Sequence, residues 1–538
     1  MKSTMMHYPL TLNHILERAG KLFGATEIVS RLADRSMHRY TYADFYRRSK
    51  QLGEALQQAG LKRGDRVGTL MWNSYAHMEC YFGIPAAGGV LHTLNLRLFP
   101  EDIAFIANHA EDRFIIVDDV LLPLFEKFKD KIKVERVFVF SQSGKPTPAG
   151  YEDYEALLGS AQGQFQYPDL DENEPCGMCY TSGTTGQPKG VVYSHRSTVL
   201  HAFMAAMPDT TSYSGADTVL PVVPMFHANA WAIPYVCAMV GAKLVFPGPF
   251  LDGESLLELY QTEKVTVSAG VPTIWLSLLQ TLQQNPGRWQ LQPGLRMTIG
   301  GSAVPASLIK AYAELDMHII QGWGMTETSP IATVSKLDQN TRKFPPDERA
   351  AAVARQGIVV PFVDIRIMND EGEAAWDGKS VGEVQVRGPW VTGSYHNLAK
   401  SEESFTADGW LKTGDVGMIG SDGYLRLTDR AKDLIKSGGE WISSVDLENS
   451  IMGHPAVAEA AVIAVPHPKW AERPLAVVVL KPGQKAGADE IREFLLGKYA
   501  KWQIPDGIIF VDAIPRTSTG KFLKTKLRED YKDWKWAS

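Results

Sequence analysis

The sequence predicts an α/β protein: a large N-terminal body of several subdomains with helix-covered sheets, then a small α+β C-terminal domain. Three observations predict it. The chain has 538 residues, 44 % apolar and 22 % charged, enough for about three to five compact units of roughly 100–200 residues each. Between Val219 and Gly324, short apolar runs alternate with segments of helical period, the pattern of parallel sheets covered by helices. From Val381 the pattern changes to short strands and Gly-containing turns, and after Asp429-Arg430-Ala431-Lys432 a mixed unit of about a hundred residues follows.

Taken in order, Phe45, Leu52, Leu56 and Ala59 recur at helical spacing, and the turn Arg63-Gly64-Asp65 leads into a strand at 67–71. The runs 114–117 and 137–140 are short and apolar, as buried strands are. Strands are then expected at 219–223, 243–246, 265–269, 295–299 and 318–321, with helices at 256–260, 273–282 and 306–314. Pro272 and Pro305 fall where a first helical turn tolerates a missing amide hydrogen. Ligands of such sheets lie beyond the carboxyl ends of the strands. Asp408-Gly409 and Asp422-Gly423 mark turns, and 445–452, strands at 460–465 and 475–480, and a helix at 489–499 complete the C-terminal unit. The expected division is a body over 1–428, a connector at 429–432 and a small domain over 433–538.

Fifty-five basic residues against 61 acidic ones leave a net charge of −6, which provides no electrostatic footprint for nucleic acid. Four cysteines cannot build a disulfide framework, pointing to a reducing, cytoplasmic setting, and the pair Cys176 and Cys179 lacks the second pair of a zinc site. No signal peptide or transmembrane segment is read: the oily stretch from Trp231 to Phe246 is broken by Pro234, Gly241 and Lys243.

The most specific segment runs from Tyr180 to Gly190. Thr181, Ser182, Thr184 and Thr185, with Gly183, Gly186 and Lys189, make a loop whose amides and hydroxyls can face a phosphate while the lysine adds a charge. Gly183 and Gly186 are only three apart, so this is not a Walker loop. By composition alone a Gly- and Thr-rich surface turn remains the other reading.

With Gly322-Trp-Gly-Met-Thr-Glu327-Thr, Gly409-Trp-Leu-Lys-Thr-Gly-Asp415, Asp429-Arg430-Ala-Lys432-Asp and Pro515-Arg-Thr-Ser-Thr-Gly-Lys521, this segment resembles the acyl-adenylate-forming (ANL) superfamily. Pro224-Met-Phe-His227-Ala-Asn-Ala-Trp231 and Lys436-Ser-Gly-Gly-Glu-Trp-Ile-Ser-Ser444 are most similar to bacterial medium- and long-chain fatty acyl-CoA synthetases. The resemblance implies a two-step ligation: a carboxylate and ATP form acyl-AMP and pyrophosphate, and coenzyme A then displaces AMP. It also implies a mobile C-terminal domain turning about Lys432, Mg2+ as cofactor and a homodimer.

By the same resemblance, Lys521 reaches the α-phosphate and the acid, Glu327 with Thr184 holds magnesium, and Asp415 takes the ribose hydroxyls, with Arg430 nearby. Thr181 to Gly186, Lys189 and Thr326 surround the phosphates. Gly301, Ser302, Gly322, Trp323, Gly324 and Met325 border the nucleotide, Trp323 standing where many members carry tyrosine. His227, Trp231, Gly301 and Pro330 line the acyl site, and Lys436, Ser437, Gly438, Gly439 and Trp441 face coenzyme A. Read without the family, Lys521 is an ordinary exposed lysine, Glu327 a capping carboxylate, and His227 with Trp231 a core pair. A helical entry would put those two, four residues apart, on one face. The partners expected are a small carboxylic acid, ATP and coenzyme A, with no nucleic acid. Three functional classes remain open: a fatty-acid ligase or one for a short acid such as 3-methylthiopropionate, a carrier-loading adenylation enzyme, and a non-catalytic nucleotide binder.

Overall fold

The computed structural model describes residues 1, 3–181, 187–302, 304–336, 338–339, 341–399, 401–430, 433–437, 440–517 and 521–536, without the side chains of 440 and 441. Among these, four sheets form, three in the large N-terminal body and one in the small C-terminal domain. The first sheet runs Glu152–Asp153, Arg136–Phe140, Asp112–Asp118, Arg66–Leu70, Val90–Thr93, Pro175–Tyr180 and Gly190–Ser194, with only the last pair antiparallel. The second has nine strands, parallel from Glu27–Arg31 through Lys243–Phe246, Thr218–Pro221, Val267–Gly270 and Leu295–Ile299 to Met317–Gly324, and antiparallel beyond both ends.

Helices cover both sheets, and their apolar faces meet between them. Side chains of Leu12–Leu22, Tyr42–Gln58, Tyr75–Ala86, His195–Ala206 and Ile233–Val240 join Phe114, Ile116 and Phe138 of the first sheet and Ile28, Leu244 and Val267 of the second in one buried cluster. Every residue of Tyr75–Ala86 is buried, which its apolar sequence tolerates on all sides. Each fully buried large apolar side chain contributes about 1.5–3 kcal/mol. Local signals set the ends of elements: Thr41 and Asp44 form a reciprocal capping box at the start of Tyr42–Gln58.

The elements Lys243–Phe246, Leu295–Ile299 and Ala306–Glu314 have the bounds their sequence predicts. Two differ. The strand expected at 265–269 forms at Val267–Gly270, because the Val265 amide instead donates to Tyr260 O (3.0 Å), closing the preceding helix. Pro272 is the first residue of its helix, whereas Pro305 stands one position earlier, as an extended N-cap.

The third sheet is an antiparallel meander of Gly372–Glu373, Asp364–Asn369, Gly382–Arg387, Leu411–Ile419 and Leu425–Arg430. Beyond Arg430 the chain enters the fourth sheet: Glu440–Ile442, Ile435–Ser437, Ala471–Leu480 and Val457–His467, with Gly507–Phe510 parallel to Ala471–Leu480. Among the described residues no helix is long and apolar enough to cross a membrane.

Candidate active site

Carboxyl ends of the parallel strands deliver the predicted residues: Pro175–Tyr180 runs into the 181–189 loop, Leu295–Ile299 into Gly300-Gly301-Ser302, and Met317–Gly324 into Glu327. The loop neck is closed by the Thr181 amide donating to Lys189 O (2.9 Å) and the Lys189 amide donating to Thr181 Oγ1 (3.0 Å). Ser182, Gly183, Thr184, Thr185 and Gly186 lie outside the described residues.

The Lys189 ammonium stands 4.5 Å from the centre of the Tyr395 ring and donates to Ser404 Oγ (3.4 Å). Tyr395 in turn donates its hydroxyl to Glu327 Oε1 (2.8 Å), linking the loop lysine to the acid. Glu327 is 6 % exposed and has no ion-pair partner among the described residues. A buried carboxylate with open acceptor positions suits a hard divalent cation that takes its other oxygens from phosphates and water. Around it, Gly324 is required: a Cβ there would lie 1.6 Å from Pro330 O. That carbonyl accepts the Met325 amide (3.0 Å), and Glu327 O accepts the Thr392 amide (2.8 Å). Thr326 O accepts the Tyr193 hydroxyl (2.9 Å).

Asp415 and Arg430 face each other directly across adjacent antiparallel strands. Asp415 is 4 % exposed; its Oδ1 lies 3.0 Å from Arg430 Nε and its Oδ2 accepts the Trp323 indole N–H at 2.9 Å. Each oxygen retains a lone pair able to accept a hydroxyl. Trp323 is otherwise packed among Ile320, Ile331 and Val334.

Lys521, from the last stretch of the chain, stands over the loop after Leu295–Ile299. Gly301 has φ +89°, and a Cβ built on it would lie 3.9 Å from Lys521 Cε; Ser302 beside it is exposed. The lysine is tied back to Thr517, whose amide donates to Lys521 O (2.7 Å) and whose Oγ1 accepts the Lys521 amide (3.1 Å). His227 is held down from its ordinary 6.5 to about 4, first by burial and then by the charges of Lys521 and Arg97, so its imidazole is neutral near pH 7. Arg97 escaped sequence reasoning. It follows Val90–Thr93, which pairs in parallel with Pro175–Tyr180, and lies 5.9 Å from the Phe226 ring with no ion pair among the described residues. Its only sequence signal is its place after a strand of the parallel sheet. Tyr395 had no signal either.

One expectation is corrected. The residues after His227 do not enter a right-handed helix: Ala228, Asn229, Ala230, Trp231 and Ala232 have φ of 41°, 52°, 49°, 56° and 62°, a left-handed turn, so the i, i+4 face does not exist. Such a conformation costs on the order of 1–2 kcal/mol per residue. Tertiary contacts hold it: Cys179 Sγ donates to Asn229 Oδ1 (3.1 Å) and Thr93 Oγ1 to Phe226 O (3.3 Å). Trp231, 7 % exposed, packs at the Gly300 backbone, where a Cβ would lie 3.3 Å from its ring. Pro330, also predicted, is buried.

The remaining predicted residues lie elsewhere. Lys436 and Ser437 belong to the strand Ile435–Ser437 of the C-terminal sheet, where Ser437 Oγ accepts Arg473 Nη1 (3.0 Å). Lys432, Gly438, Gly439 and the Trp441 side chain fall outside the described residues. Among the described residues no group of three or more His, Cys, Asp or Glu is disposed to hold a metal, and Cys176 and Cys179 are buried free thiols.

Residues 16–396 match the family described as AMP-binding enzyme, and residues 446–521 match the AMP-binding enzyme C-terminal domain. The chain is 49 % identical to the long-chain-fatty-acid–CoA ligase of Thermus thermophilus, covering 99 % of this chain and 97 % of that one. It is 44 % identical to the 3-methylmercaptopropionyl-CoA ligase of Ruegeria lacuscaerulensis, covering 99 % of both. Among solved structures, an anthranilate CoA ligase in complex with anthranoyl-AMP superposes with a TM-score of 0.87 at 26 % identity, covering 98 % of this chain and 99 % of that one.

Proposed function

Because the chain belongs to the AMP-binding enzyme family, we propose that it is an ATP-dependent, AMP-forming acyl-CoA synthetase for a medium- or long-chain fatty acid. A carboxylate oxygen of the acid attacks the α-phosphorus of ATP, pyrophosphate leaves, and the thiol of coenzyme A then attacks the acyl carbon and expels AMP. The observation that carries this reading is Lys521, its Cε close to Gly301 and its charge felt by a neutral His227. A carboxylate approaching a polyanion needs its repulsion cancelled where charge builds up, and a preorganised cation does this at no reorganisation cost. Neutral His227 can hydrogen-bond the acid without adding a second titrating charge, while Lys189 serves the departing phosphates and Asp415 accepts from ribose hydroxyls. Trp231 borders the acyl chain. Mg2+, held by Glu327 and Thr184, would neutralise phosphate charge.

The division into a body over 1–428, a hinge at 429–432 turning about Lys432, and a mobile domain over 433–538 belongs to this reading, since Lys521 must withdraw for the thiol to enter. Lys436, Ser437, Gly438, Gly439 and Trp441 then face coenzyme A. A homodimer in the cytoplasm completes the proposal. A short sulfur-containing acid is the second reading, favoured by the 44 % identity to a 3-methylmercaptopropionyl-CoA ligase. Pyrophosphate release with octanoate, with and without coenzyme A, tests the reaction. Turnover that depends on coenzyme A is expected; its absence with every acid overturns the proposal. The ratio of kcat/KM for octanoate, palmitate and 3-methylthiopropionate decides between the two substrates.

A further inference from the structure

Lys524 lies three residues beyond Lys521, at the start of the helix Lys524–Asp530, and its side chain is only 10 % exposed. Its ammonium stands 2.7 Å from Glu448 Oε1 and donates to Ser444 Oγ at 2.5 Å, both on the helix Ser444–Met452. The Ser444 amide donates to Asp429 Oδ2 (2.7 Å), and Asp429, buried in the last strand of the third sheet, also takes the Arg430 amide on Oδ1 (2.8 Å). Ser443 donates its hydroxyl to Thr428 O. Burial pushes both carboxylates up, Glu448 to about 7, and the Lys524 charge opposes this at each. Glu448 Oε1 also accepts the Val462 amide (2.7 Å), and nearby Asp433 is paired with Arg528 (2.6 Å).

One buried cation thus ties the loop that carries Lys521 to the helix Ser444–Met452, whose first residue bonds Asp429 at the end of the third sheet. The other end of that loop is clamped as well, by Arg516 to Glu459 (2.6 Å) and by the Leu523 amide to Pro515 O (2.8 Å). An apolar side chain would serve stability about as well as a buried ion pair, whose desolvation offsets much of its attraction. What the charge adds is direction.

We propose that Lys524 is a positioning residue, which through Ser444, Glu448 and Asp429 fixes the Lys521 loop in the orientation that sets its ammonium over Gly301. The inference rests on the synthetase reading and concerns its first half-reaction. Once Lys521 has withdrawn its orientation no longer matters, so thioester formation from preformed acyl-AMP does not need the link.

The test separates the halves. ATP–pyrophosphate exchange with octanoate measures adenylation, and synthetic octanoyl-AMP with coenzyme A measures thioester formation. Lys524→Met should slow adenylation about tenfold or more and leave the second half within about twofold, and Lys524→Arg should recover most of the loss. Should K524M fail to fold, Glu448→Gln, which keeps the lysine and removes the charge, carries the same comparison. A parent enzyme that forms no adenylate from any acid overturns the functional reading and this inference with it. A competent parent whose variant is slowed equally in both halves, or in neither, overturns this inference alone.

Discussion

Gly324→Ala should damage both stability and adenylation, and its size follows from one contact. A Cβ at 324 would sit 1.6 Å from Pro330 O, against the 3.0 Å that real Cβ atoms respect, so the turn must shift by about 1.4 Å. The carbonyl it displaces accepts the Met325 amide and the Thr328 hydroxyl. Overpacking at about 1–3 kcal/mol and two weakened hydrogen bonds at about 0.5–1.5 kcal/mol each make a loss of roughly 2–6 kcal/mol. The same shift moves Glu327, three residues on, and a misplacement of about 1 Å can cost on the order of 100-fold in rate. Gly322→Ala is the control: a Cβ there meets nothing nearer than 3.8 Å, so it should be neutral or slightly stabilising, by up to about 1 kcal/mol. Urea unfolding of both variants, with pyrophosphate exchange for Gly324→Ala, provides the assay. A Gly324→Ala protein with parental midpoint and exchange rate would refute the steric argument.

Three further outcomes are expected. Lys521→Ala should lower pyrophosphate exchange by about 100- to 1,000-fold while sparing thioester formation from acyl-AMP; an undiminished exchange rate removes the lysine from the chemistry. Asp415→Asn keeps an acceptor for Trp323 but loses the charge facing Arg430, and should lower kcat/KM for ATP by roughly 10- to 100-fold, given about 1.5–3 kcal/mol for a hydrogen bond to a charged group. His227 has a folded pKa of about 4 against an ordinary 6.5: the unfolded chain protonates first, so its contribution is complete above pH 6.5 and is lost as pH falls toward 4. Replacing it with Gln should flatten the fall of stability with pH in that window by at most about 1.4 kcal/mol per pH unit, less for the partial exposure of the ring. His77 and His201, held to about 3 by burial, should preserve the remaining slope, and urea midpoints at pH 7 and 5 measure the difference.

Much of this protein is determined within short windows of its sequence. Leu295–Ile299 is an apolar run between turns and Ala306–Glu314 carries one apolar stripe, so both were legible from period alone. Pairing across the strands of the third sheet puts Asp415 opposite Arg430, yet nothing local announces that the Trp323 indole shares that carboxylate. Period failed at 228–232, because the left-handed turn is imposed by Cys179, Thr93 and the Gly300 backbone, none of them a chain neighbour. Lys521 meets Gly301 across more than two hundred residues, and Tyr395, Arg97 and Lys524 owe their places to partners that are also distant in the chain. Propensity and side-chain period act over a few residues and sufficed for such elements, while the motifs were legible through their resemblance to a family. Which charges are buried together, and which backbone strain is tolerated, depends on low-dielectric contacts that exist only once the sheets have closed, and so was decided by the tertiary structure.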